Sequence, residues 1–292
     1  MTKLLRLRAT RLFFLFIFTL NLQTFAAVPT LGGMQFWNDI SLAGNYKIQK
    51  NVITGHCRLL EDDYLRLTWG SEDHCRTRLL ALKPQIKKPQ VFLIHGLGRS
   101  HHSMAQLATE LSAQGYQVYN IEYSSMLNNA DSLSKRLLTL FNEHQDRDNY
   151  VITHSFGGIL FRKISPQLKI QKAVLMAAPN QGSTICDTLK KYRLNFLLGP
   201  AGSQLYSQSD LMSTLPAPAC EFITIAGERP SQLTNWPLGL FFNEKSDGIV
   251  CESRTRLAGS AKHVKVDSSH TLIMNHPESH KVVSSFLQKK HF

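Results

Sequence analysis

From Gln90 onward the chain alternates short apolar runs with longer amphipathic ones. "QVFLIHG" is an almost unbroken apolar stretch closed by glycine, the pattern of a strand buried on both faces. "SMAQLATELSAQG" places apolar residues every three or four positions and stops at Gly115, as a helix with a glycine terminator does. The pair recurs as "YQVYNIEY" with "ADSLSKRLLTLFNEHQ", then as "NYVITHS" with a helix beginning near Phe156, and "KAVLMAAP" follows. This alternation predicts an α/β fold, a mostly parallel sheet with crossover helices on both faces. "CEFITIAG" and "KHVKVD" add two strands, and Pro277 opens a last helix, "PESHKVVSSFLQ", at a position where its missing N–H is harmless.

Two stretches interrupt the alternation. Residues 183–215 carry an apolar stripe that includes Leu189, Tyr192, Phe196, Leu205 and Tyr206, and are read either as core or as a small cap or lid insertion. "LTNWPLGLFF", Leu233 to Phe242, is apolar but broken by proline and glycine, which suits the rim of a pocket, notably from Trp236 to Phe242. Residues 27–88 are less periodic. "YKIQKN" and "YLRLTWG" alternate as half-buried strands do and suggest an antiparallel pair at the sheet edge, ahead of a core spanning residues 89–292.

The first residues change the picture of where the protein works. Lys3, Arg6, Arg8 and Arg11 precede or open an apolar run from Leu12 to Leu22, and small residues follow, the three-part pattern of a secretory signal over residues 1–26. Cleavage is expected after Ala26 or Ala27, placing the protein in the periplasm or outside the cell; an uncleaved anchor is the alternative. Removing the four signal cations from the formal charge of +12 leaves +8. That surplus is read first as a diffuse solvated surface, with peripheral contact to an anionic membrane surface as the sharper alternative; no nucleic-acid motif accompanies it. Export also makes Cys57, Cys75, Cys186, Cys220 and Cys251 eligible for disulfides, Cys57 with Cys75 first and Cys186 with Cys220 second. No Cys-x-x-Cys pair points to zinc.

The candidate chemistry lies where "NYVITHSFGGIL" turns from strand to helix at Ser155. Such a turn pushes a hydroxyl out of the top of a sheet, and Gly157 and Gly158 relieve crowding there. The first glycine of the usual Gly-x-Ser-x-Gly is replaced by Thr153. A serine needs a base and a group that orients the base. Asp247 in "EKSDGIV" and His270 in "VDSSHTLIMNHP" follow it in the order serine, acid, histidine, with Glu228 as the rival acid. Backbone N–H groups of Phe156, after the nucleophile, and Leu97, in the glycine-rich loop "HGLGRS", are the expected oxyanion donors. His95 and His154 are read as structural. His101 with His102, and His276 with His280, are histidine pairs lacking a third ligand type, so no metal is expected.

Taken in order, "VFLIHGLGRSHHSM", "GYQVYNIEYSS", "THSFGGIL", "AAPNQGS", "LLGPAGSQL", "SDGIV" and "SHTLIMNHPE" resemble the motifs of a bacterial family of α/β-hydrolase-fold lipase/esterase-like proteins. The resemblance runs from about Gln90 to the C-terminus. It implies an α/β-hydrolase fold, Ser155, Asp247 and His270 as a triad, and Leu97 and Phe156 as donors; cleavage of carboxylic esters without a cofactor is the expected reaction, and the apolar rim from Trp236 to Phe242 with the lid candidate points to lipid or acyl esters. An acyltransferase on the same triad and a non-catalytic binding protein of the same fold are the alternatives.

Overall fold

The computed structural model of the chain describes residues 28–29, 35–86, 89–144, 148–229 and 244–289. The signal pattern of residues 1–26 and the apolar stretch Leu233–Phe242 lie outside the described residues.

Five strands, β1 (Val28–Pro29), β2 (Trp37–Ala43), β3 (Tyr46–Asn51), β4 (Cys57–Glu61) and β5 (Leu65–Gly70), pair antiparallel in the order β1-β5-β4-β3-β2. The antiparallel pairing expected for this region is present, yet it builds a sheet of its own and not an edge of the parallel one. Helix α1 (Glu72–Ala81) lays Cys75 and Leu79 on Ile48, Cys57 and Leu59, giving this sheet a small separate core.

The parallel sheet comprises β6 (Gln90–Ile94), β7 (Gln117–Ile121), β8 (Asn149–His154), β9 (Lys172–Met176), β10 (Glu221–Gly227) and β11 (Lys262–Val266), in the order β11-β10-β9-β8-β6-β7. Every pairing in it is parallel. Alternate residues serve opposite faces. Phe92, Ile94, Val151 and Leu175 belong to one cluster with α3 (Ala130–Asn142) and α4 (Phe156–Ile164). Val91, Leu93, Ile152 and Val174 belong to another with α2 (Ala105–Ala113) and the C-terminal helix Pro277–Gln288. Coverage of both faces explains why the strands read as continuous apolar runs. The chain steps from β6 outward to β7 and returns past β6 to β8, so the strand order reverses there. The crevice beyond the strand ends at such a reversal is where open α/β sheets bind ligands.

Residues 183–215 fold as α5 (Thr184–Lys191), a 3₁₀ turn (Asn195–Leu198), the short α6 (Gly199–Gly202) and α7 (Asp210–Thr214). The two readings of this stretch divide by residue. Cys186, Ala201, Leu205, Leu211 and Met212 join the large core, whereas Tyr192, Leu194, Phe196 and Leu197 are exposed. α8 (Glu252–Thr255) and α9 (Pro277–Gln288) complete the order.

The cysteine expectation is not met: all five are free thiols, and neither Cys57–Cys75 nor Cys186–Cys220 is bonded. Burial pushes Cys75 to about 11 and Cys220 to about 12, which keeps these thiols protonated. They act as small apolar side chains, and the thiolate that would start disulfide exchange is suppressed.

One buried junction ties the two sheets together. Asp39 of β2 donates its N–H to the Glu122 carbonyl at 2.9 Å, and its Oδ2 accepts the Glu122 N–H at 2.9 Å. Gln49 donates to Asp39 Oδ1 at 2.7 Å, and the Lys47 ammonium lies 3.3 Å from Oδ2. Glu122 in turn accepts the backbone N–H of His101 and pairs with its Nδ1. Burial raises the Glu122 carboxyl to about 7 and lowers His101 to about 3, so between those limits the carboxyl keeps its proton and the imidazole stays neutral.

Asp39→Ala strands Lys47 without its carboxylate and is expected to cost about 3–5 kcal/mol in urea unfolding. Asp131→Ala, which removes the surface pair with Lys163, is expected to cost less than about 1 kcal/mol. A second prediction concerns pH. The Glu122 pKa is raised on folding, so its contribution is full below the ordinary 4.5 and is lost as pH rises to about 7. The melting temperature of wild type relative to Glu122→Gln therefore falls across that window, in melts followed by circular dichroism.

Candidate active site

Ser155 caps α4 with φ 51° and ψ −120°, a backbone conformation that costs a non-glycine residue about 1–3 kcal/mol. Its N–H is held by the Met176 carbonyl at 2.8 Å, and its own carbonyl accepts from Gly158 at 3.0 Å. The glycines are explained by contact. A Cβ on Gly157 would stand 2.3 Å from the Ile94 carbonyl oxygen, and one on Gly158 would stand 2.7 Å from Ala178 Cβ. Thr153 is tolerated in place of the first glycine because it is a strand residue whose Oγ1 donates to the Val174 carbonyl at 3.3 Å.

His270 lies in the loop after β11, and Asp247 in the loop after β10. His270 Nδ1 is 2.7 Å from Asp247 Oδ2, and His270 Nε2 is 2.9 Å from Ser155 Oγ. The tautomer that donates from Nδ1 to Asp247 leaves Nε2 to accept the serine hydroxyl. Asp247 is fixed in turn: its Oδ1 accepts the N–H groups of Ile249 and Val250 at 2.9 and 2.8 Å, and its carbonyl accepts the His270 N–H at 3.0 Å. Gly227, at the end of β10, makes room for it; a Cβ there would lie 2.8 Å from Asp247 Cβ. The rival acid Glu228 instead faces Lys265 at 2.9 Å and Lys245 at 3.3 Å.

The loop after β6 comes down on the serine. A Cβ on Gly96 would be 3.1 Å from Ser155 Cβ and 2.9 Å from His154 Nδ1. Arg99 donates to the Gly96 carbonyl at 3.2 Å and Gly98 to Ser125 Oγ at 3.0 Å, while Leu97 N–H is bonded to no group among the described residues. Phe156 is the first residue of α4, so its N–H has no intrahelical acceptor. The Phe156 N–H thus lies at the positive end of α4, and the Leu97 N–H in the loop that approaches Ser155.

The neighbouring histidines are props. His154 Nε2 donates to the His270 carbonyl at 3.0 Å, and burial holds its pKa well below the ordinary value, so the ring is neutral. His95 stacks on Tyr123 with ring centres 4.1 Å apart, and the Tyr123 hydroxyl donates to the His95 carbonyl. His280 is bonded to the Met274 carbonyl and lies 2.8 Å from Glu110, away from the serine. Among the described residues no group of three or more His, Cys, Asp or Glu is arranged to hold a metal.

Sequence reasoning missed the supports of the Gly96 loop. Glu122 holds the far end of that loop through His101, with His95 Nε2 at 3.8 Å from its other oxygen. Gln35 reaches the loop from the N-terminal region, donating to the Arg99 carbonyl and accepting from Met126 N–H at 3.0 Å. The available signal was a lone acid in "YNIEY", at the end of an otherwise uncharged strand. A hollow of about 530 Å³ between the N-terminal sheet and α2, lined by Lys47, Tyr64 and His101 among others, lies apart from Ser155.

Neither a family model nor a curated protein matches the chain. Solved structures do. The mature form of the lipase BlEst2 from Bacillus licheniformis aligns with a TM-score of 0.57 at 18% identity, over 70% of this chain and 94% of that one. The propeptide form aligns at 0.59 and 18%, over 70% of this chain but 51% of that one, so the chain spans about half of the longer form. Phospholipase PlaB from Legionella pneumophila aligns at 0.55 and 14%, over 69% of this chain and 60% of that one. The metagenomic carboxyl esterase MGS0156 aligns at 0.53 and 13%, over 65% and 68%. With its parallel sheet, its helices on both faces and these likenesses, the chain has the α/β-hydrolase fold.

Proposed function

We propose that the chain is a serine hydrolase of carboxylic esters, with acyl or lipid esters as substrates. The observation that carries this reading is the hydrogen-bonded line Asp247–His270–Ser155, at 2.7 and 2.9 Å, ending on a hydroxyl presented by a strained turn. That the solved structures of like fold include a lipase, a phospholipase and a carboxyl esterase lends it support.

In this reading His270 Nε2 takes the proton from Ser155 Oγ as the oxygen attacks the ester carbonyl. Asp247 keeps the imidazole in the required tautomer and stabilises its cation. The carbonyl oxygen, now an oxyanion, accepts from the N–H groups of Leu97 and Phe156. His270 returns the proton to the departing alkoxide, which leaves as the alcohol, and the acyl group stays on Ser155. Water, deprotonated by the same imidazole, then releases the acid and restores the serine. These steps draw only on groups of this chain. Preference for acyl chains follows from exposed apolar residues on the segment beside Leu97, Phe196 and Leu197 among them.

Purified protein is expected to hydrolyse p-nitrophenyl esters with kcat/KM rising with acyl length. Ser155→Ala should lower kcat on the order of 10⁶-fold and Asp247→Asn about 10⁴-fold, as in serine proteases with the same constellation. Loss of substrate with the acyl group appearing on an added alcohol, in place of free acid, would identify the acyltransferase alternative. Folded wild type that acts on none of the esters would sink the reading.

A further inference from the structure

Six of the ten large apolar residues exposed among the described residues sit on segments that adjoin the loops around Ser155: Leu127, Tyr192, Leu194, Phe196, Leu197 and Leu272. A Cβ on Gly202 of α6 would meet Leu97 Cδ2 at 2.8 Å, and one on Gly199 would meet the Met126 carbonyl at 2.8 Å, so the 192–198 segment abuts the Gly96 loop and the turn carrying Leu127. Leu272 follows His270 by two residues, in a turn closed by its N–H on the Ser269 carbonyl at 3.1 Å. Arg99 joins the two rims through Thr271 Oγ1 at 3.0 Å.

The charges in this segment are of one sign. Lys190, Lys191 and Arg193 are exposed, and no acidic residue occurs from Thr188 to Ser209. Asp187, just before, is engaged by Arg254 at 2.7 Å and by Ser207. The Lys190 and Lys191 ammonium groups lie 5.0 and 5.9 Å from the rings of Tyr206 and Tyr192, and among the described residues none of the three cations pairs with a carboxylate. Isolated exposed apolar residues are ordinary on a protein surface; a cluster of them interleaved with unpaired cations at the mouth of a site marks an interaction face.

We propose that this face, with Lys190, Lys191, Arg193, Phe196 and Leu197 at its centre, seats the protein on an anionic lipid bilayer with Ser155 turned toward the surface. Cations draw it to anionic headgroups, and Phe196 and Leu197 enter the interface, where an aromatic ring and an alkyl chain are both favoured. A nucleic acid would satisfy the cations but would leave Leu194 and Leu197 in water, so the bilayer is the better fit. For its purpose the proposal rests on the ester-hydrolase reading: such a face delivers lipid to Ser155.

The test is co-sedimentation of the full chain carrying Ser155→Ala, so that vesicle lipids survive, with vesicles of phosphatidylcholine alone and of phosphatidylcholine mixed with phosphatidylglycerol. Partitioning is expected to favour the mixed vesicles and to fall with salt. Replacing Lys190, Lys191 and Arg193 together by Gln should weaken it on the order of 100-fold, about fivefold per cation. Phe196→Ser with Leu197→Ser should weaken it about tenfold or more. Leu80→Ser, at a still more exposed apolar site on α1, should leave it unchanged. Equal partitioning onto both vesicles, or binding indifferent to the triple substitution, would overturn the proposal. Binding that depends on the cations but not on Phe196 and Leu197 would also overturn it and point to a polyanion. The triple substitution of Lys190, Lys191 and Arg193, made with Ser155 intact, is expected to spare hydrolysis of a short soluble ester. Hydrolysis without vesicle binding fails the docking face alone, and vesicle binding without hydrolysis fails the enzyme reading alone.

Discussion

The close passage of Gly157 beneath the Ile94 carbonyl oxygen, where a Cβ would have 2.3 Å, is the constraint on which the site depends. It lets α4 start directly against the end of β6, which forces the turn at Ser155 into φ 51° and lifts the hydroxyl out of the sheet. The strain of about 1–3 kcal/mol is small beside what fixes the turn. Phe156, Ile159, Leu160 and Phe161 of α4 are fully buried, and each such side chain contributes about 1.5–3 kcal/mol. The helix cannot retreat without giving up that burial, so the serine stays where it is held.

Four loops from distant parts of the chain then meet at one hydroxyl, and backbone hydrogen bonds register them against each other. Asp247 and His270 are joined twice, by their side chains and by the His270 N–H on the Asp247 carbonyl. His154, next to the serine, holds the His270 carbonyl. The Gly96 loop is fastened at its far end to Glu122, whose backbone is bonded to Asp39 of the N-terminal sheet. That sheet is therefore a support of the loop bearing Leu97, and Gln35 adds a second strut from the same side. Behind that loop the Glu122–His101 pair is uncharged at mildly acid pH.

Much of the parallel half was legible in the sequence because burial on both faces leaves unbroken apolar strands, and amphipathic helices separate them. Ser155, Asp247 and His270, singled out by their order along the chain, are brought into hydrogen-bonding reach by the fold. The N-terminal sheet was harder: its strands carry buried polar residues such as Asn38, Asp39 and Gln49 in place of a clean alternation, so five strands read as two. Glu122 was hidden for a related reason, since a single acid in a strand shows its value only when its three-dimensional partners are known. The disulfide expectation leaned on the N-terminal signal pattern, whereas Cys57 and Cys75 pack as free thiols in apolar surroundings. The stripe between Leu189 and Tyr206 mixed two roles that only the fold separates, core at Leu205 and exposed surface at Phe196 and Leu197.

The central claim, that Ser155 is the nucleophile of an acyl transfer, is tested most directly by trapping the intermediate. Protein mixed with an excess of activated ester is quenched in acid during turnover, digested, and its peptides weighed by mass spectrometry. The account predicts one adduct with the mass of the acyl group, on the peptide containing Ser155, absent from Ser155→Ala and accumulating when deacylation is the slower step. Steady turnover with Ser155 never acylated, or with the acyl group on another residue, would contradict it.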